Sequence, residues 1–299
     1  MKDLVVFLKE NGISFEENVD GKRLCSFRVG GCVKIVAKPQ SSLQVKALLD
    51  YLDASGMKNK VLGRGSDTVI SDEGFDGALV LLTELKGIKV DGDMLSAGAG
   101  ESLASVASFA CSQCLAGLEF AHGIPGSVGG AVYMNAGAYG GEISDVIVSC
   151  ECYDRRSKSI VVLDKFDLGL SYRHSVLQDK GELVVLSVLF KLSKGEKTEI
   201  RERMDEYKAK RLASQPLEYP SAGSAFKRPQ GHFAAKLIDD AGLKGYTVGG
   251  AQVSEKHAGF VVNRGGATAD DIKNLVKHIQ KTVKENFNVS LECEIEFVE

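Results

Sequence analysis

Three polar clusters in this chain of 299 residues combine side chains able to do acid–base or charge-stabilising chemistry. Ser171-Tyr172-Arg173-His174-Ser175 sets a permanently charged guanidinium between Tyr and His, a group suited to an anionic intermediate. A surface-loop arginine is the competing reading. Pro220-Ser221-Ala222-Gly223-Ser224 presents hydroxyls on a small, conformationally free backbone. It contains no GxSxG elbow and no recognisable paired base, which argues against a hydrolase nucleophile. A serine proton donor is compatible with it if a basic partner offsets the high intrinsic pKa. Glu292, Glu294 and Glu296 recur at period two, so in a strand all three share a face. A solvated face and a carboxylate aimed into a cleft both fit that spacing. His122, His174, His232, His257 and His278 show neither HxH nor HExxH spacing, so no metal site is expected.

A fourth feature is backbone rather than side chain. GIPGSVGGAVYMNAGAYGGE, Gly123 to Glu142, holds seven glycines separated by apolar residues and one proline. Such spacing suits a backbone that passes close to something flat or charged. Pro125 can open a helical turn, after which the amides from Gly126 to Gly130 would form a phosphate site at a helix N-terminus. A tight loop packed on other backbone is the alternative. The stretch is neither GxGxxG after a strand nor a P-loop.

The elements that must position these groups follow from periodicity. Residues 3–10 are amphipathic and predict a short helix. Val33, Ile35 and Ala37 alternate after the Gly30-Gly31 turn and predict a strand. Ser41 and Gln44 form a capping-box pair before a helix with Leu43, Ala47, Leu48, Tyr51 and Leu52 on one face. A strand ending at Leu62 then enters the loop Gly63-Arg64-Gly65-Ser66-Asp67, readable as a phosphate or ribose contact or as a plain turn. Residues 78–98 hold three short strands with a hairpin at Asp91-Gly92, and a helix follows from Glu101 to Leu115. VIVSCECYD, SIVVL and ELVVLSVLFKL are strands. Composition changes at Gly195, where a charged surface helix with Ile200, Met204 and Tyr207 marks the expected domain boundary. QPLEYPSAGSAFKRPQG predicts irregular chain. A helix over 232–241, a long helix capped by Thr268 and a final strand, VSLECEIEFV, complete the chain. Mixed helices and strands imply an α+β fold.

Composition bounds the rest. A net charge of −3 predicts no general affinity for nucleic acid or an anionic membrane. Lys208, Lys210 and Arg211 could still hold one small anion. Neither a signal peptide nor an apolar run of about 20 residues is present, so a cytoplasmic protein without membrane insertion is expected. Cys111 and Cys114 lack a second CxxC and fall on one helical face, while Cys150 and Cys152 share a strand face. Free buried thiols are expected for the seven cysteines.

Taken together, FRVGG, GRGSD, GIPGSVGGAVYMNAGAYGGE, SYRHS, PSAGS with FKRP, KLIDDAGLKGYTVGGAQVSEKHAGFVVN and LECEIEF resemble the UDP-N-acetylenolpyruvoylglucosamine reductase family, shorter subtype, from about Phe27 onward. The resemblance implies an FAD-binding domain of the vanillyl-alcohol-oxidase (PCMH) type over 1–195, with subdomains of roughly 1–84 and 85–195. It implies a C-terminal α+β substrate-binding domain over 196–299. FAD contacts would come from Gly63, Arg64, Gly65, Ser66, Asp67, Gly123, Ile124, Pro125, Gly126, Ser127, Gly129 and Gly130. Family members take a hydride from NADPH onto the flavin and pass it to the enolpyruvyl double bond of UDP-N-acetylglucosamine enolpyruvate. By similarity Arg173 and Glu294 support the enolate and Ser224 protonates the adjacent carbon, while Arg211, Lys227 and Arg228 would bind the nucleotide. Asp67, Ala225 and Cys293 depart from the residues the family commonly carries there. Monomeric behaviour is expected. A flavin oxidase using oxygen would lack the C-terminal motifs. A nucleotide-binding module that had lost catalysis would not be expected to keep all three catalytic residues.

Overall fold

The computed structural model describes residues 1–299, the side chain of Lys180 excepted, and mixes helices and strands in the α+β manner expected. Two compact units make up the chain, each discontinuous in sequence. The first comprises residues 1–17, 35–64 and 77–210, and the second 18–34, 65–76 and 211–299. The expected boundary at residue 195 is therefore displaced to 210–211, and segments 18–34 and 65–76 leave the expected domain 1–195. The helix Lys197–Ser214 explains the displacement, because Ile200 and Met204 are buried in the first unit's core. One apolar cluster runs from Leu4 to Met204, so residues 1–84 and 85–195 contribute to a single core.

In the first unit, a five-stranded sheet has the order Ser159–Asp164, Ile147–Asp154, Leu183–Lys191, Met94–Gly98, Ile88–Asp91. The last two strands form the hairpin expected at Asp91-Gly92, with Asp91 opposite Met94 and Gly92 at φ +63. Helix Ser42–Ala54 begins at Ser41, whose hydroxyl accepts the Gln44 amide at 3.2 Å. Gln44 reaches the amide of Gln40 rather than that of Ser41, so the box closes one residue early. Its buried stripe is Val45, Leu48, Leu49 and Leu52, while Leu43 is 74% exposed, a rotation from the expected face. Helix Leu103–Ser112 stops short of Cys114, which sits exposed in a left-handed turn at φ +58. Cys111 and Cys114 thus share no helical face. Cys150 and Cys152 do share a strand face, with their Sγ atoms 3.4 Å apart and both residues buried. Cys32 is exposed as well, so the buried-thiol expectation fits only part of the set.

The second unit contains a four-stranded sheet of order Ser221–Ser224, Phe260–Asn263, Ala251–Val253, Thr247–Val248. Its first strand lies in the segment expected to be irregular. A bulge accommodates the small residues: Ser221 faces Val262 and Ser224 faces Phe260, with Gly223 at φ +77. Helix Ala269–Phe287 starts in a capping box made by Thr268 and Asp271. Asp72 adds its carboxylate from a distant segment, accepting the amides of Ala269 and Asp270 at 2.8 and 2.9 Å. The helix then buries Ile272, Leu275, Val276, Ile279 and Val283 in the second core. The final strand is shorter than expected, Glu296–Val298, and pairs in parallel with Thr68–Ile70. Residues before it pair elsewhere: Lys227 donates its amide to the Glu292 carbonyl and Glu294 to that of Ala225, each at 2.9 Å. Leu291, Cys293, Ile295 and Phe297 all pack in the second core, so the period-two alternation expected around Glu292, Glu294 and Glu296 persists through the change of partner. Among the described residues no helix is long and apolar enough to cross a membrane.

Candidate active site

The glycine stretch folds differently from a helix opened by Pro125. Helix Val128–Tyr133 begins after Ser127, whose hydroxyl accepts the Gly130 amide at 3.3 Å. The Val128 and Gly129 amides donate to the carbonyls of Glu101 and Ala99. Gly129 and Gly130 therefore spend their amides inside the unit, and the expected run of amide donors from Gly126 to Gly130 does not exist. The reason for Gly129 is packing, since a Cβ there would press on Ala99. Gly126, at φ +133, makes the sharp entry to the helix. A Cβ on Gly63 would collide with the Ser127 hydroxyl, so Gly63 of one glycine-rich loop lies directly against Ser127 of the other. Packing of the two loops on each other thus accounts for the glycine at 63.

Gly65, Ser66 and Asp67 belong to the second unit. Gly65 is at φ +60, and a Cβ on it would strike the Leu24 carbonyl. The Ser26 hydroxyl lies 3.0 Å from the Ser66 carbonyl and 2.6 Å from the Ser221 carbonyl. Asp67 accepts the Glu296 amide at 2.9 Å, and its carboxylate takes the Thr68 hydroxyl at 3.3 Å. The Ser26 hydroxyl and backbone bonds thus gather the 65–67 loop, the 221–224 strand and the 294–296 segment inside one unit. Ser224 is exposed, and its neighbour Ala225 accepts the Glu294 amide. Two of the expected catalytic residues, Ser224 and Glu294, are consequently brought together. Ala225 and Phe226 are buried, and burial pushes the Cys293 thiol up; the departures at 225 and 293 are absorbed in the second core.

Arg173 lies in the first unit. Ser171 and His174 exchange backbone hydrogen bonds at 3.1 Å, closing a four-residue turn with Arg173 third, at φ +54. A type II turn demands that conformation there and normally recruits glycine or asparagine. The guanidinium donates to the Gly137 carbonyl at 2.9 Å and stands 5.1 Å from the Tyr172 ring centre. His174 Nε2 is 3.2 Å from the Asp179 carboxylate. Of the expected nucleotide contacts, Lys227 pairs with Glu292 at 2.6 Å, Arg228 stacks 4.8 Å from the Phe233 ring centre, and Arg211 is half-buried. Sequence reasoning missed Asn135 and Gln178, which with Ser175 surround Arg173's turn. Their one signal is polarity inside apolar or glycine-rich sequence, as at Asn135 within MNAGAYGG.

An open groove of about 830 Å³ in the first unit, lined by Asp93, Asp145, Lys191 and Lys194 among others, includes none of the candidate residues. Among the described residues no cluster of His, Cys, Asp and Glu could hold a metal ion.

Comparison with known proteins gives the chain's relatives. The FAD binding domain model matches residues 33–162, and the C-terminal domain model of UDP-N-acetylenolpyruvoylglucosamine reductase matches residues 215–298. The reductase of that name from Latilactobacillus sakei is 46% identical, over 100% of this chain and 98% of its own. The one from Clostridium novyi is 48% identical, over 95% of this chain and 92% of its own. The crystal structure of UDP-N-acetylenolpyruvylglucosamine reductase from Thermus caldophilus superposes with a TM-score of 0.81 at 34% identity, covering 96% of this chain and 99% of that one. With both glycine-rich loops and the Ser224–Glu294 pair in a chain similar to these reductases over its whole length, this protein belongs to the UDP-N-acetylenolpyruvoylglucosamine reductase family of FAD-binding oxidoreductases.

Proposed function

We propose that this protein reduces UDP-N-acetylglucosamine enolpyruvate to UDP-N-acetylmuramate with NADPH and bound FAD, in peptidoglycan precursor synthesis. The observation that carries the reading is the gathering of the 65–67 loop, Ser224 and Glu294 in the second unit by backbone bonds and the Ser26 hydroxyl. When bound, FAD supplies the hydride relay between NADPH and the enolpyruvyl double bond. Gly63, Arg64, Gly65, Ser66, Asp67, Gly123, Ile124, Pro125, Gly126 and Ser127 would hold it, because their backbone can approach a flat or anionic group closely. Gly129 and Gly130 support that loop through packing and the Ser127 cap.

Addition of hydride to the double bond leaves negative charge on the substrate carboxylate as an enolate. Arg173 meets that charge with a guanidinium that cannot deprotonate. Glu294 assists by sharing a proton with the enolate oxygen. Ser224 gives its hydroxyl proton to the adjacent carbon and, being exposed, recovers one from solvent. Arg211, Lys227 and Arg228 bind the nucleotide diphosphate by charge. The enzyme acts in the cytoplasm as a monomer in this reading.

Purified protein should be yellow, bleach anaerobically with NADPH and recover its colour when the enolpyruvyl substrate is added. A colourless protein that takes up no FAD overturns the reading.

A further inference from the structure

We propose that Asn135, Ser175 and Gln178 are positioning residues that hold Arg173 in its left-handed turn and aim its guanidinium. The inference rests on the role given to Arg173 above.

Arg173 occupies a backbone conformation that L side chains rarely adopt, at φ +54. Such a residue persists only where its surroundings over-determine it. The surroundings are buried and polar. Asn135 is 0% exposed, and its two side-chain ends serve different segments. Nδ2 donates to the Ser171 carbonyl at 2.9 Å, and Oδ1 accepts the Ser144 amide at 2.9 Å. Ser175 is also 0% exposed and donates its hydroxyl to the Tyr133 carbonyl at 2.7 Å. Gln178, on the short helix that follows, donates to the same Tyr133 carbonyl at 2.8 Å and lies 3.3 Å from the Arg173 carbonyl.

The turn is thereby tied before, at and after Arg173 to residues 133–135. The guanidinium reaches the same stretch, through its 2.9 Å bond to Gly137. The second half of the glycine-rich stretch therefore seats the arginine, whereas the first half forms the loop against Gly63. A buried bracket of this kind fits a charge that must already point correctly when the enolate forms, because donors fixed in advance need no reorganisation. Burial matters too: polar groups away from water keep their partners, so the bracket has one arrangement.

The test is a cycle of variants in the FAD-loaded enzyme, with the two half-reactions followed separately by flavin absorbance. Arg173→Lys should slow reoxidation by UDP-N-acetylglucosamine enolpyruvate about 100-fold or more and leave reduction by NADPH within about twofold. Asn135→Ala should slow reoxidation roughly 10- to 100-fold with reduction equally spared, since a small misplacement of a catalytic group has effects of that order. The double variant should be no slower than Arg173→Lys alone, within about threefold, because the two residues act as one device. Gln178→Ala gives the same pattern more weakly and serves if Asn135→Ala does not fold.

Losses that multiply in the double variant overturn the bracket, as do equal losses in both half-reactions or a fall in flavin content. If Arg173→Lys leaves reoxidation unchanged, the role of Arg173 itself fails, and the bracket fails with it. That result is distinct from the others because the single arginine variant alone reveals it.

Discussion

Arg173 and Ser224 are held in opposite ways. Arg173 sits at φ +54 in a turn tied by Asn135, Ser175 and Gln178, two of them fully buried. Ser224 is exposed at the end of an edge strand whose register is broken by a bulge. The contrast matches the roles proposed for the two groups. A charge-stabilising cation gains from being fixed before the reaction, whereas a proton donor must be reached by solvent to be recharged. On the proposed roles, rigidity serves the charge and access serves the proton.

Changes on either side can break that contrast. Ser224→Ala should cut turnover of the sugar nucleotide by about 10²–10⁴ while leaving flavin reduction by NADPH and thermal stability intact. Equal slowing of both half-reactions, or a large drop in melting temperature, would mean that the hydroxyl is structural. Asn135→Ala should cost about 1–3 kcal/mol in denaturant unfolding, because it empties a fully buried site and leaves the Ser171 carbonyl and the Ser144 amide without that partner. A cost near zero would show that the turn does not depend on its bracket.

Smaller effects sharpen the comparison. Thr268→Ala removes the cap of helix Ala269–Phe287 and should cost about 1 kcal/mol, with both half-reactions unaffected. Any selective slowing of reoxidation would tie Ser224's side of the molecule to that helix more closely than its packing suggests. The smallest effect concerns pH. Burial, aided by Lys244, pushes the His257 imidazole below its ordinary 6.5, and its Nδ1 accepts the Gly259 amide at 3.2 Å. Above 6.5 folded and unfolded chains both hold it neutral, so its full contribution is present there. As pH falls through that value, the unfolded chain takes up a proton that the folded one resists, and stability declines until the folded-state value is passed. Unfolding free energies measured across that window should show the slope in the parent and lose it in His257→Gln.

Much of the frame was legible because it rests on local rules. The Asp91-Gly92 hairpin, the Thr268 cap and the stripe from Ile272 to Val283 depend on residues within a few positions of each other. The candidate site was legible only through the assembled motifs, since a lone arginine or serine has many uses. Where local reading failed, a distant partner had intervened. Pro125 did not open the helix because Ser127 caps it and the carbonyls of Glu101 and Ala99 claim the next amides. The boundary moved from 195 to 210–211 because Ile200 and Met204 anchor the charged helix in the first core.

By itself, then, the sequence determined the α+β element content, the family and the residues available for chemistry. Periodicity, capping and motif order are properties of neighbouring residues and are written along the chain. Tertiary structure alone decided that Asn135 reaches the turn of Arg173, that Asp72 caps a helix some 200 residues away, and that Glu294 pairs with Ala225, next to Ser224. Each of these is a hydrogen bond between segments far apart in sequence. Such a bond depends on which buried amide or carbonyl still needs a partner once the cores have packed.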